Sequence, residues 1–92
     1  MELEWDEAKN TANIEKHGID FNNAHEIFSE NRLIFLDVRN DYGEERFVAV
    51  GWIRSRLMVL IYTQRPPEVI RVISLRKANN REKDRFEKTI KN

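Results

Sequence analysis

Apolar residues along this chain repeat with two different periods, and the changes of period mark its elements. Trp5, Ala8 and Ala12 lie three and four apart, a narrow stripe that predicts a helix. Asp6 stands before it as an N-cap whose carboxylate can accept from the free backbone N–H groups of the next turn. Gly18 ends it, because glycine takes the left-handed conformation after a helix without steric penalty. Lys16 and His17 put positive charge in the last turn, where the helix dipole favours it. Ahead of this helix, residues 2–5 leave room for a short strand. A second helix is predicted at once, with Asp20 as cap, Ile19 stapled onto Ala24, and Phe21, Ala24, Ile27 and Phe28 as its apolar face. Asn31 falls in the exit turn.

The middle of the chain changes to strand patterning. LIFLDV at 33–38 is apolar and partly β-branched, and RFVAVGW at 46–52, LMVLIYT at 57–63 and VIRVISLR at 69–76 read as the following strands. RNDYG at 39–43, Arg54-Ser55 and QRPPE at 64–68 separate them with turn chemistry, and two prolines cannot join a ladder. Residues 57–63 are apolar on both faces, which marks a central strand. Short connections between the four strands predict an antiparallel meander. From Asn79 the pattern is helical again, with Asn79 or Asn80 as cap. Phe86 and Ile90 are its only large apolar residues, a thin stripe that packs lightly on the domain or on a partner. The expected fold class is α+β: two N-terminal helices, a four-stranded antiparallel sheet and a C-terminal helix.

Ninety-two residues predict a single domain, 1–92, that buries only about 60–65% of its unfolded surface, so a permanent partner would add stability by mass action. With no cysteine, a disulfide framework and a thiolate metal site are excluded. The acidic, polar start MELEWDEAKN reads as no signal peptide, and the longest apolar run, Leu57 to Tyr62, is too short to span a bilayer. A cytoplasmic protein with no membrane partner is the expectation. The formal charge is zero, but unevenly spread: −6 over residues 1–30, +2 over 31–65 and +4 over 66–92. A basic end can attract a polyanion locally, and it can equally be a solvated helix.

The stretch WDEAKNTANIEKHGIDF at 5–21 sets Trp5, Asp6, Lys9, Asn13, Lys16, His17, Gly18, Ile19 and Phe21 in a long, irregular order. GEERFVAVG at 43–51 adds Glu45 and Arg46, and VIRVISLRKANNRE at 69–82 adds Arg71, Ser74, Arg76, Ala78 and Glu82. Together these blocks resemble the BrnT family of bacterial toxins over nearly the whole chain. Phe86 departs from the tyrosine frequent there, which removes a hydroxyl and with it any proton transfer at that position. Leu75 stands where the family usually has a smaller residue, and the Pro66-Pro67 turn is individual. The resemblance implies a RelE-like fold, a curved antiparallel sheet with helices on one face. It implies an endoribonuclease that inhibits translation and growth. It also implies a BrnA-like ribbon-helix-helix antitoxin that neutralises the toxin and represses the operon, so that DNA is reached only through the antitoxin. The alternative is a non-catalytic toxin-family protein acting by binding its antitoxin or the ribosome.

RNA carries its own nucleophile, the 2′-hydroxyl. Cations with a general acid–base pair suffice to cut it without metal, and no metal-ligand spacing or cofactor motif is evident. The candidate catalytic residues are Arg76, Ser74, His17 and Glu45; the candidate RNA contacts are Lys9, Asn13, Lys16 and Arg71. Arg76 can grip two phosphate oxygens in a fork, or can be a surface arginine pairing a helix carboxylate. On an unbroken strand Ser74 and Arg76 share a face and Arg71 lies on the other, free to pair Glu45; a β-bulge would reverse this. Lys9, Asn13 and His17 fall four apart along one helix face, with Lys16 beside them. His17 titrates near neutral pH and serves either as acid or base or as a satisfier of the last helix carbonyls. Glu45 is the alternative base or a structural ion pair. Trp5 is core or a stacking platform for a base, Trp52 is core or a partner contact, and His25 is a surface residue.

Overall fold

The computed structural model describes residues 1–91. The chain order is β1 (Glu2–Glu4), α1 (Glu7–His17), a 3-10 helix (Phe21–Phe28), β2 (Arg32–Leu36), β3 (Phe47–Ile53), β4 (Arg56–Arg65), β5 (Val69–Lys77) and α2 (Asn80–Lys91). One five-stranded sheet has the order β1-β5-β4-β3-β2. β2 to β5 form the expected antiparallel meander, and β4 is its centre, buried from Leu57 to Thr63. Arg54, at φ 59°, and Ser55 make the tight reversal between β3 and β4.

The predicted caps hold. Asp6 accepts from the Lys9 N–H at 3.2 Å, and Gly18 takes φ 71° and returns its N–H to the Ile14 carbonyl at 2.8 Å. Asp20 accepts from the Asn22 N–H, and Asn79 and Glu82 cap α2 reciprocally.

Three expectations need correction. The second helix is a 3-10 helix rather than an α-helix. Its buried residues, Phe21, Ala24 and Ile27, follow a strict three-residue spacing, which matches three residues per turn rather than 3.6. The sheet is mixed rather than four antiparallel strands: Glu2–Glu4 does form a strand, and it pairs parallel to Val69–Arg71. Helices also cover both faces of the sheet, not one. On one face, the 3-10 helix packs Phe21, Ala24 and Ile27, and the turn after α1 packs Ile19, against Ala49, Met58, Leu60, Tyr62, Ile70, Val72 and Leu75. On the other, α2 packs Phe86 and Ile90 with Leu33, Phe35, Val48, Val50, Val59 and Ile61. Trp5 stands edge-on to Phe21 on the first face and belongs to that core; Trp52 stands edge-on to Phe86 on the second.

β1 covers only the first residues of the β5 edge. Beyond it, α1 takes the place of a strand. The buried Asn13 amide donates to the Leu75 carbonyl at 2.9 Å and to the Ile19 carbonyl at 3.1 Å, and its oxygen faces the Leu75 N–H at 3.4 Å. The buried Asn10 does similar work, donating to Asp20 and accepting from the Phe21 N–H. Two asparagines therefore fix where α1 runs, because buried backbone groups must find partners.

Candidate functional site

The open part of the α2 face follows from the register. Phe86 and Ile90 cover the β2–β3 side, and the first turn of α2 reaches β5 where Glu82 meets Arg76. Extending the ladders by one residue sets Asp37, Arg46, Thr63, Arg71 and Glu4 in a row across all five strands. The Asp37 N–H donates to the Arg46 carbonyl at 2.8 Å, and the Thr63 hydroxyl to the Glu45 carbonyl at 2.7 Å, which pins that row.

β5 does not alternate evenly. Ile61 pairs with Ser74 but its neighbour Tyr62 pairs with Val72, so Ile73 is an extra residue in β5. The bulge shifts the parity. Ile70, Val72 and Leu75 face α1, and Arg71, Ser74 and Arg76 share the α2 face. Ser74 pairs with Ile61, midway between Thr63 and Val59, the partners of Arg71 and Arg76. At ~3.3 Å per residue, Ser74 lies about 6–7 Å along the sheet from each arginine position. The half-buried Ser74 hydroxyl has no hydrogen-bond partner among the described residues.

Carboxylates hold most of the guanidiniums around this surface. Arg76 meets Glu82 bidentately, with both N–H···O contacts at 2.8 Å, and also donates to the Lys77 carbonyl. That hydrogen-bonded pairing raises the Arg76 pKa and lowers that of Glu82, against the opposing effect of burial. Arg39 grips Asp37 in the same way, both contacts at 2.8 Å, and holds the Asp37 carboxyl down to about 2. Arg39 is also near enough to Arg76 to oppose its charge. The Arg46 guanidinium lies 3.9 Å over the Tyr42 ring, with its Nε buried and without a hydrogen bond. Arg71 is paired with Glu4 at 3.7 Å rather than with Glu45.

The other candidates lie elsewhere. Lys9 and Lys16 are exposed on α1, and His17 is half-buried at its end; none has a side-chain partner among the described residues. Asn13 faces inward to the β5 backbone. The Lys9–Asn13–His17 stripe and the Ser74–Arg76 face therefore stand on different sides of β5. Glu45 lines a cavity of about 730 Å³ bounded also by Met1, Phe47, Arg65, Pro66 and Val69. Its backbone is tied to Thr63, four residues along β4 from the partner of Arg76, or about 13 Å away at the usual rise. Sequence reasoning missed Glu82 and Glu4 as side chains of this surface. An asparagine three residues before a glutamate, at Asn79 and Glu82, is a capping-box spacing that could have found the first. Nothing local marks Glu4. Among the described residues, no group of three or more histidine, aspartate and glutamate side chains is placed to hold a metal, and no helix is long and apolar enough to cross a membrane.

A family model described as "Ribonuclease toxin, BrnT, of type II toxin-antitoxin system" matches residues 5–82. The chain belongs to the BrnT family. The matched stretch runs from Trp5 to Glu82 and includes Arg71, Ser74 and Arg76. This BrnT protein is similar to the ribonuclease toxin BrnT of Brucella abortus, known from a 1.1 Å crystal structure, at a TM-score of 0.70 and 32% sequence identity. The similarity covers 87% of this chain and 99% of that one. No curated protein matches the chain. As a BrnT protein it is a ribonuclease toxin of a type II toxin–antitoxin system, with an antitoxin partner and an RNA target.

Proposed function

We propose that this BrnT protein is an endoribonuclease that cuts RNA by attack of the 2′-hydroxyl without a metal cofactor, on the open α2 face, and so inhibits translation and growth. Neutralisation falls to a BrnA-like ribbon-helix-helix antitoxin, with DNA bound only through it, and the setting is the cytoplasm.

The observation that carries this reading is the bulge at Ile73, which turns Arg71, Ser74 and Arg76 to one partly exposed face of the sheet. Arg76 is already committed to Glu82, but not wholly. Of its five N–H donors, three are used by Glu82 and the Lys77 carbonyl. The Nε–H and one Nη2 N–H remain, side by side on one edge of the planar group. That edge matches two phosphate oxygens, and Glu82 holds the plane in place for them. Arg71 supplies a second cation and Ser74 a hydroxyl donor between the two. Positive groups fixed where charge develops stabilise the phosphorane without reorganisation. Lys9, Lys16 and Asn13 belong to the α1 side; the two lysines are free to hold flanking phosphates. On this reading His17, at the end of α1, and Glu45, about 13 Å along the sheet from Arg76, lie outside hydrogen-bond reach of a phosphate held by Arg76 and take no part in its proton transfers.

The experiment uses purified chain free of antitoxin, RNA substrate and EDTA throughout. Cleavage is expected from the wild type, with a drop of about 100-fold or more in Arg76→Ala and Arg71→Ala at unchanged circular dichroism. Growth arrest by the induced protein with no RNA cleavage at any level overturns catalysis in favour of a toxin that acts by binding.

A further inference from the structure

We propose that Glu4 is the general base that removes the 2′-hydroxyl proton, an assignment that rests on the metal-independent reading above. Glu4 ends β1 and pairs in register with Arg71, so it points to the same face as Ser74 and Arg76. Its Oε1 lies 3.2 Å from Arg65 Nε and 3.7 Å from Arg71 Nη1, buried, and without a hydrogen bond. The two other carboxylates of this surface are held differently. Glu82 and Asp37 each close on one arginine through two hydrogen bonds at 2.8 Å. Both carboxylates are committed to their arginines, each oxygen held by a guanidinium N–H. Glu4 instead lies between two guanidiniums with Oε1 buried and the side chain as a whole partly exposed, and those guanidiniums together outweigh its charge and keep unspent donors.

A phosphodiester completes this arrangement. Its non-bridging oxygens take the donors of Arg65 and Arg71, Arg76 grips the phosphate next along the strand, and the adjacent 2′-hydroxyl meets the carboxylate, which lacks the hydrogen bonds that would satisfy it. In the step, Glu4 takes the 2′-proton and the 2′-oxygen forms a bond to phosphorus. The bond from phosphorus to the 5′-oxygen breaks, and that oxygen takes a proton from water. The products are a 2′,3′-cyclic phosphate and a 5′-hydroxyl; Glu4 then returns its proton to solvent. Neither His17 nor Glu45 is placed on this face, and Glu4 lies immediately before the stretch that the family model covers.

The test is cleavage of an RNA oligonucleotide in EDTA by the whole chain as wild type, Glu4→Gln and Glu4→Ala, with RNA binding and thermal melting of each. Both variants are expected to melt as folded proteins, to bind RNA within about threefold of wild type, and to cleave about 100-fold or more slowly. Added formate is expected to restore activity to Glu4→Ala by about tenfold, because it supplies the missing carboxylate in the vacated space, and to leave Glu4→Gln unchanged. Glu4→Gln cleaving like wild type overturns the assignment while the proposed function stands. Loss of cleavage with matching loss of RNA binding and no rescue also overturns it, making Glu4 a brace for Arg65 and Arg71. A wild type that does not cleave overturns the proposed function and this assignment together.

Discussion

Asn13→Ala removes the amide that lets α1 stand in for a sheet strand, and its effect can be worked from the contacts. Two good hydrogen bonds disappear, to the Leu75 and Ile19 carbonyls at 2.9 and 3.1 Å, along with the longer approach to the Leu75 N–H at 3.4 Å. Each lost bond is worth about 1 kcal/mol net, and the buried Leu75 N–H, left without a partner, adds about 1 kcal/mol more. The expected loss is about 3 kcal/mol. Against a total of roughly 5–14 kcal/mol for a domain of this size, that leaves a folded but weakened protein. At roughly 4–8 °C per kcal/mol, the melting temperature falls by about 12–24 °C. Thermal and urea denaturation followed by circular dichroism measure it. Asn13→Asp sharpens the test, since it keeps the size but turns a carboxylate onto two carbonyl oxygens, and it is expected to destabilise at least as much. A change under about 1 kcal/mol in both variants, with RNA binding lost, refutes the structural reasoning and returns Asn13 to the RNA contacts.

Gly51→Ala places a methyl group 2.9 Å from Ile27 Cγ1, 3.2 Å from the Ile27 carbonyl oxygen and 3.3 Å from Arg32 Cβ. A loss of about 1–3 kcal/mol in urea denaturation is expected, and a neutral result means that the 3-10 helix yields where it meets β3. Asp37 is held at about 2 from an ordinary 3.8, so its folded pKa is depressed. Its contribution to stability is complete above about pH 4 and is lost as pH falls toward 2. Asp37→Asn is expected to lower stability at pH 7 and to flatten the acid limb of the stability profile over that window; an unchanged limb removes the pair from the account.

Much of the fold was legible because its signals are local. Asp6, Gly18, Asp20 and Asn79 act on the chain next to them, and their caps form as residue chemistry dictates. The run from Leu57 to Thr63 is apolar on both sides wherever it sits, so its central place could be read directly. The three-residue spacing of Phe21, Ala24 and Ile27 was equally present in the sequence. Phe28 next to Ile27 gave it the look of an α-helical face.

The sequence by itself determined the family, the meander of β2 to β5, the caps and the inventory of candidate cations. Tertiary structure alone decided which of those residues share a surface. Alternation along β5 put Arg71 opposite to Ser74 and Arg76, and one extra residue at Ile73 reversed that. A bulge is a property of two strands, set by how Ile61 and Tyr62 meet their partners across the ladder, and a single strand carries no reliable mark of it. In the same way, Glu4 becomes a neighbour of Arg65 and Arg71 only because the chain's first strand pairs with its last. Residues more than sixty positions apart meet there through long-range pairing, which local periodicity does not encode.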